Sequence, residues 1–179
     1  KNITKRLFNK CSSLSQITIP SSVTVIEQFA FKRCSSLKKV SFTDDSSLVE
    51  IHRYAFKYCV NLNEIEIPST VNLIEEGAFL GCSSLLQIKI PKSLSVINSL
   101  VFYECSSLTS IEIPSSITSI SEKAFKKCSS LKQVIFEQFS SLTRIKNAAF
   151  KNCSSLTKIE IPSSVTKIEG KTFCGCLSL

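Results

Sequence analysis

The sequence predicts a solenoid: an α/β-type coil, mostly β, with one parallel sheet, short second strands and single helical turns, wound right-handed through seven full turns. Three observations lead there. Eight cysteines stand at 11, 34, 59, 82, 105, 128, 153 and 176, spaced 23 or 25 residues apart. A phenylalanine precedes each by three positions: Phe8, Phe31, Phe56, Phe79, Phe102, Phe125, Phe150 and Phe173. Between them the apolar residues repeat in the same order, so each unit offers an apolar set that it cannot bury alone and that neighbouring units must cover.

The unit CSSLTSIEIPSSITSISEKAFKK, Cys105 to Lys127, shows each element in turn. Ile111 and Ile113 alternate with polar residues, the period-two pattern of a strand with one buried face. Pro114 follows; it has no N–H to give a ladder, so the strand ends there. Ile117 and Ile120 form a second, shorter apolar pair on the return side. Ala124, Phe125 and Cys128 read as one helical or 3₁₀ turn with Phe and Cys inward. Strands of successive coils are expected about 4.8 Å apart in one sheet running through all seven.

At L-x-x-I-x-I the unit resembles the leucine-rich repeat, whose general form is L-x-x-L-x-L over roughly 20–29 residues. It departs from that form in carrying Pro where Asn usually follows the strand. The V-x-x-I run and the A-F-x-x-C-x-S-L closure look like the BspA-like class, and this resemblance spans the whole chain. It implies a surface antigen of bacteria or parasitic protists, with adhesion to host, matrix or neighbouring-cell proteins as the role.

A longer period overlies the first. The 25-residue units, Cys34–Tyr58 and Cys128–Asn152, begin 94 residues apart, and both replace Ile-Pro by Phe and three further residues. Leu7 and Val101 stand before Phe8 and Phe102 where five other coils carry Ala. The duplicated unit is therefore four coils. Residues 1–179 read as one solenoid domain that opens and closes in mid-coil, an expected fragment of a longer repeat protein.

Composition narrows the function. With 43% hydrophobic and 20% charged residues the chain is too apolar for disorder, and it has no run long enough to span a bilayer. Four glycines leave little for phosphate loops, and G-K-T at 170–172 lacks the earlier Gly, its place being held by Val165. One histidine excludes a His-cluster metal site, and His52 occupies a column of polar residues (Glu27, Glu75, Asn98, Ser121, Lys146, Glu169) expected to face solvent. The eight register cysteines are expected as a buried ladder of reduced thiols, because a ladder strings sulfurs in a line rather than in a tetrahedron around zinc. Cys174 takes a slot that is Lys in four coils and is expected exposed. Asn2 and Asn152 lie in N-x-S/T sequons, which matter only if the protein is secreted. No catalytic residue, metal ligand or cofactor site is assigned.

Two surfaces remain as binding candidates. The net charge of +8 is concentrated in a ridge before the cysteines: Lys10, Lys32, Arg33, Lys57, Lys126, Lys127 and Lys151, broken at Leu80, Gly81 and Glu104. It could meet an anionic glycan or serve solubility alone. Nucleic acid is not expected, the aromatics being read as Phe in core register. On the strand face, the outward columns include Glu64, Glu66, Lys89, Glu112, Glu160, Gln133 and Lys158. Ile135 is the one apolar occupant of its column, and Phe139 follows in an expanded loop where coil two has Asp44 and Asp45, with Lys132 as part of a polar rim. Exposed apolar pairs of this kind anchor interfaces; alternatively Phe139 folds back over the core. The reading is a non-enzymatic, cell-surface or secreted protein-binding solenoid. The alternative is an intracellular scaffold that organises partner proteins.

Overall fold

The computed structural model describes residues 1–179 as a parallel-strand β-solenoid of about seven turns. Each coil has three sides. The first wall comprises β2 (Gln16–Ile19), β4 (Lys39–Phe42), β6 (Glu64–Ile65), β9 (Ser110–Ile113), β11 (Gln133–Phe136) and β13 (Lys158–Ile159). The second wall comprises β1 (Asn2–Ile3), β3 (Val25–Ile26), β5 (Glu50–Ile51), β7 (Leu73–Ile74), β8 (Val96–Ile97), β10 (Ser119–Ile120), β12 (Arg144–Ile145) and β14 (Lys167–Ile168). All pairings are parallel and keep repeat register, as in Val40 opposite Ile17 and Ile65. Side chains from the three sides form one core of 46 buried residues. A continuous stack of eight phenylalanines, Phe8 to Phe173, runs through it, with ring centroids 5.0–5.9 Å apart.

The third side corrects the expected helical turns: the structure contains no helix. In coil one the N–H groups of Phe29, Phe31 and Arg33 donate forward to the carbonyls of Arg53, Ala55 and Lys57 in the next coil. The intervening N–H groups of Ala30, Lys32 and Cys34 fold back three residues, each at 3.1 Å, onto Glu27, Phe29 and Phe31. Half of the donors thus leave the coil, which a helix cannot permit. Two residues per turn adopt positive φ to achieve this, for example Phe29 (61°) and Arg33 (60°). Each left-handed L-residue costs roughly 1–2 kcal/mol, offset here by the inter-coil ladder and by stacking.

The sheet is also less continuous than expected. The first wall divides into β2-β4-β6 and β9-β11-β13, because residues 86–90 of coil four form no strand; the second divides between β7 and β8. Two features inside the coil coincide with this seam. Val101 fills the slot that is alanine at 30, 55, 78, 124 and 149, and the rings of Phe79 and Phe102 stand 5.9 Å apart. The pairs from Phe8 to Phe79 and from Phe102 to Phe150 stand 5.0–5.3 Å apart, and the last pair, Phe150 and Phe173, 5.8 Å apart. An apolar crevice lined by Ile67, Ile74, Ile90, Leu94 and Val101 opens between coils three and four. Asn98 bridges the seam, its Nδ2 donating to the Ile74 carbonyl at 2.8 Å where other coils use a backbone N–H.

Candidate functional site

The loop after β11 is where an apolar side chain is forced outward. Ile135, central in β11, lies opposite Glu112 of β9 and is 42% exposed. Phe136 turns inward against the core, and the next residue, Glu137, fixes the loop base. Its carboxylate accepts the Ser115 N–H at 3.1 Å and pairs with Lys92 Nζ at 2.8 Å, while its own N–H donates to the Ile113 carbonyl. Lys92 first, and the Ser115 N–H second, hold this carboxyl below its ordinary value. Two residues on, Phe139 sits at φ +56° and is 94% exposed. Its ring does not fold back over the core. A large aromatic residue in the left-handed region, projecting into solvent from an anchored turn, is unfavourable for folding on both counts.

The polar candidates stand along the strands of the first wall. Lys132, Gln133, Lys158 and Glu160 are exposed, with Gln133 opposite Lys158 and the Lys158 ammonium 2.6 Å from Glu160. Glu64 pairs with Lys39 at 2.5 Å, whereas Glu66, Lys89 and Glu112 are exposed and make no ion pair. Leu86 is a further outward apolar residue that the column pattern missed; it stands on the unpaired segment of coil four.

The turn side carries the basic ridge, and it holds more than cations. Phe29, Tyr54, Tyr58 and Tyr103 are not in core register: their rings lie on this outer face under Arg6, Lys32, Arg33, Lys57, Lys126 and Lys127. The expectation of core-only aromatics therefore fails: Phe29, Tyr54 and Tyr58 sit at positive φ, which aims their side chains out of the coil, and Tyr103 stands next to Glu104, which sits at positive φ too.

The column holding His52 is not simply solvent-facing. Its members are half-buried, Ser121 fully, and they hold the preceding coil: Glu27 accepts the Lys5 N–H, Glu75 that of Arg53 and Glu169 that of Asn147. His52 itself contacts Glu50 at 2.7 Å. The cysteines are all free thiols. Cys34, Cys59, Cys82, Cys105, Cys128 and Cys153 are buried, Cys11 and Cys176 half-buried, and Cys174 exposed. Burial pushes the Cys82 thiol up to about 12 and those of Cys105 and Cys128 well above their ordinary value.

The model of the BspA type leucine-rich repeat region matches residues 1–98 and 49–179, in six copies. The chain belongs to this family. BspA-type repeats and their solenoid fold are typically non-enzymatic. The chain is similar to a leucine-rich repeat protein of T. pallidum, at 29% identity and a TM-score of 0.78, over 87% of this chain and 71% of that one. It is similar to a leucine-rich cell surface protein of Faecalibacterium prausnitzii, at 31% identity and a TM-score of 0.68, covering all of this chain but 41% of that one. A pneumococcal vaccine antigen, PcpA, shares the fold at 22% identity and a TM-score of 0.50, over 85% of this chain and 40% of that one. No curated protein matches. No helix of this BspA-type solenoid is long and apolar enough to cross a membrane.

Proposed function

We propose that this BspA-type solenoid is a non-enzymatic segment of a cell-surface or secreted adhesin, and that its first wall binds a protein through Phe139. The observation that carries this reading is the ring itself, 94% exposed and held out at positive φ by a loop fastened through Glu137. Ile135 extends the apolar area, and Lys132, Gln133, Lys158, Glu112 and Glu160 supply a rim of both signs. The partner that fits is a protein with an apolar pocket for one aromatic ring and a mixed-charge border. The surface location is supported by the cell surface description of the F. prausnitzii relative.

The test is adhesion of protein-coated beads to host-cell monolayers and to immobilised matrix extract. The double variant Ile135→Ser/Phe139→Ser should lose most of its binding while its thermal melt is unchanged; equal adhesion of variant and parent overturns the site. The second reading, an intracellular scaffold, is favoured by the exposed free thiol of Cys174, which suits a reducing compartment. Surface biotinylation of intact cells expressing the whole protein separates the two: labelling supports the adhesin, and labelling only after lysis supports the scaffold.

A further inference from the structure

We propose that the turn side of the opening partial coil and of coils one and two is a separate binding site for a linear sulfated polysaccharide lying along the solenoid axis. The proposal goes beyond the protein-binding face and does not depend on it, since its residues belong to a different side of the coil.

Arg6, Lys10, Lys32, Arg33 and Lys57 come together here from successive coils, whose core rings advance by 5.1 and 5.0 Å. None of the five makes an ion pair; the seven pairs in the molecule all use other cations. Aromatic rings hold four of them in place. Lys32 Nζ lies 4.9 Å from the Phe29 ring centre and the Arg6 guanidinium 5.5 Å from it. Lys57 Nζ lies 4.9 Å from Tyr54 and 5.1 Å from Tyr58, with Arg33 5.9 Å from Tyr58. The rings are themselves fixed. Phe29 and Tyr54 stack at 5.6 Å, the Tyr54 hydroxyl donates to Glu76, and the Tyr54 and Tyr58 rings rest on Gly77 and Gly81. Burial, then repulsion from Lys57, Arg33, Arg6 and Lys10, makes the Lys32 ammonium easier to deprotonate, a cost that a bound anion relieves.

The ridge provides its own contrast. In the later coils Lys126 and Lys127 also lie over an aromatic ring, that of Tyr103, but Glu104 neutralises Lys127 at 2.7 Å and Glu122 neutralises Lys123 at 2.6 Å. Five ridge cations without an ion pair stand in a row on the opening partial coil and coils one and two, whereas in the later coils only Lys126 and Lys151 of the ridge are unpaired. Nucleic acid fits less well, because the ring faces are taken by one another, by glycines and by cations, and none is free to stack a base. A bilayer fits less well, because the rings are half-buried beneath lysines and do not project. Two guanidinium forks among the five suit the several oxygens of a sulfate group, and a linear polysaccharide can present a series of such groups along a row of cations.

The test is titration of the whole 179-residue chain with a heparin-derived octasaccharide, followed by calorimetry. The parent should bind, and binding should weaken steeply with added salt. Lys32→Gln/Arg33→Gln/Lys57→Gln should weaken binding about a hundredfold, taking the contribution of three surface cations together. Lys126→Gln/Lys127→Gln/Lys151→Gln removes the same charge outside the proposed site and should change binding less than about threefold, Lys127 being already neutralised by Glu104. Should the first triple variant melt early, Lys57→Gln alone should still weaken binding about fivefold. Equal losses in the two triples overturn the proposal, because they mean net charge alone. So does failure of the parent to bind, or binding of polyglutamate, oligothymidylate or phosphatidylserine vesicles as tightly as the octasaccharide.

Discussion

The thiol of Cys59 donates to the carbonyl oxygen of Phe31, one coil back, at 3.0 Å. That oxygen also accepts the backbone N–H of Cys34. The arrangement recurs from Cys34 onto Phe8 to Cys176 onto Phe150, with sulfur to oxygen distances of 2.9–3.3 Å. Cysteine at this slot therefore packs as a small apolar residue and satisfies the second lone pair of a buried carbonyl. Alanine would fill the space only in part and leave the bond unmade.

Thiol labelling reads the ladder directly. In native buffer Cys174 should react within the mixing time of a maleimide assay, Cys11 and Cys176 more slowly, and the six buried thiols only after denaturant is added. The half-buried end members refine the expectation that all eight register cysteines are equally protected. Mass spectrometry that found rapid label on Cys82 or Cys105 would contradict the ladder.

Alkaline pH should unfold the protein. The ordinary thiol value is 9, and burial raises Cys82 to about 12 and holds Cys105 and Cys128 well above 9 in the folded state. Between these limits the unfolded chain has released protons that the folded chain retains, so stability is full below pH 9 and falls as pH rises. Each such thiol contributes a loss of about 1.4 kcal/mol per pH unit in that window. Tyr54, raised to about 12 by its bond to Glu76 and by burial, acts in the same direction above pH 10. Urea midpoints at pH 7.5 and 10.5 test this, and a midpoint independent of pH would refute it.

Replacement of Phe79 by alanine should cost about 3–5 kcal/mol, because the ring is fully buried between Phe56 and Phe102 in a stack that cannot collapse around the gap. A denaturant melt indistinguishable from the parent's would show that the stack does not hold the coils.

Gly81→Ala should destabilise by more than about 1 kcal/mol, since the residue has φ +73° and a Cβ there would stand 2.3 Å from the Tyr58 ring. Adding Tyr58→Ala should recover part of the loss by clearing the ring while leaving the backbone strain. If the two substitutions are simply additive, the ring does not rest on the glycine.

Much of this molecule was legible from residue order. The 23- and 25-residue spacing, the Ile alternation and the Phe and Cys columns specify coils, strands and core, because a side chain repeated in register must meet its own copy one coil away. The exposure of Phe139 was readable only as a choice between two outcomes, since its loop replaces the Pro that closes other coils. The charge ridge was visible, but its aromatic bed was not: Phe29 and Tyr54 look like core residues until the positive φ at both turns them outward.

The sequence by itself determined the solenoid, its period and the Phe, Cys and Ile columns of its core, through short-range periodicity and stacking of identical units. Only the tertiary structure decided how each coil meets the next. Whether the turn stretch becomes a helix depends on whether its N–H groups find partners within the coil or one coil ahead. Whether the sheet continues between coils three and four depends on how closely their walls approach, and there they leave an apolar crevice. Both outcomes are set by distances between neighbouring coils, and no window of residues within one coil contains them.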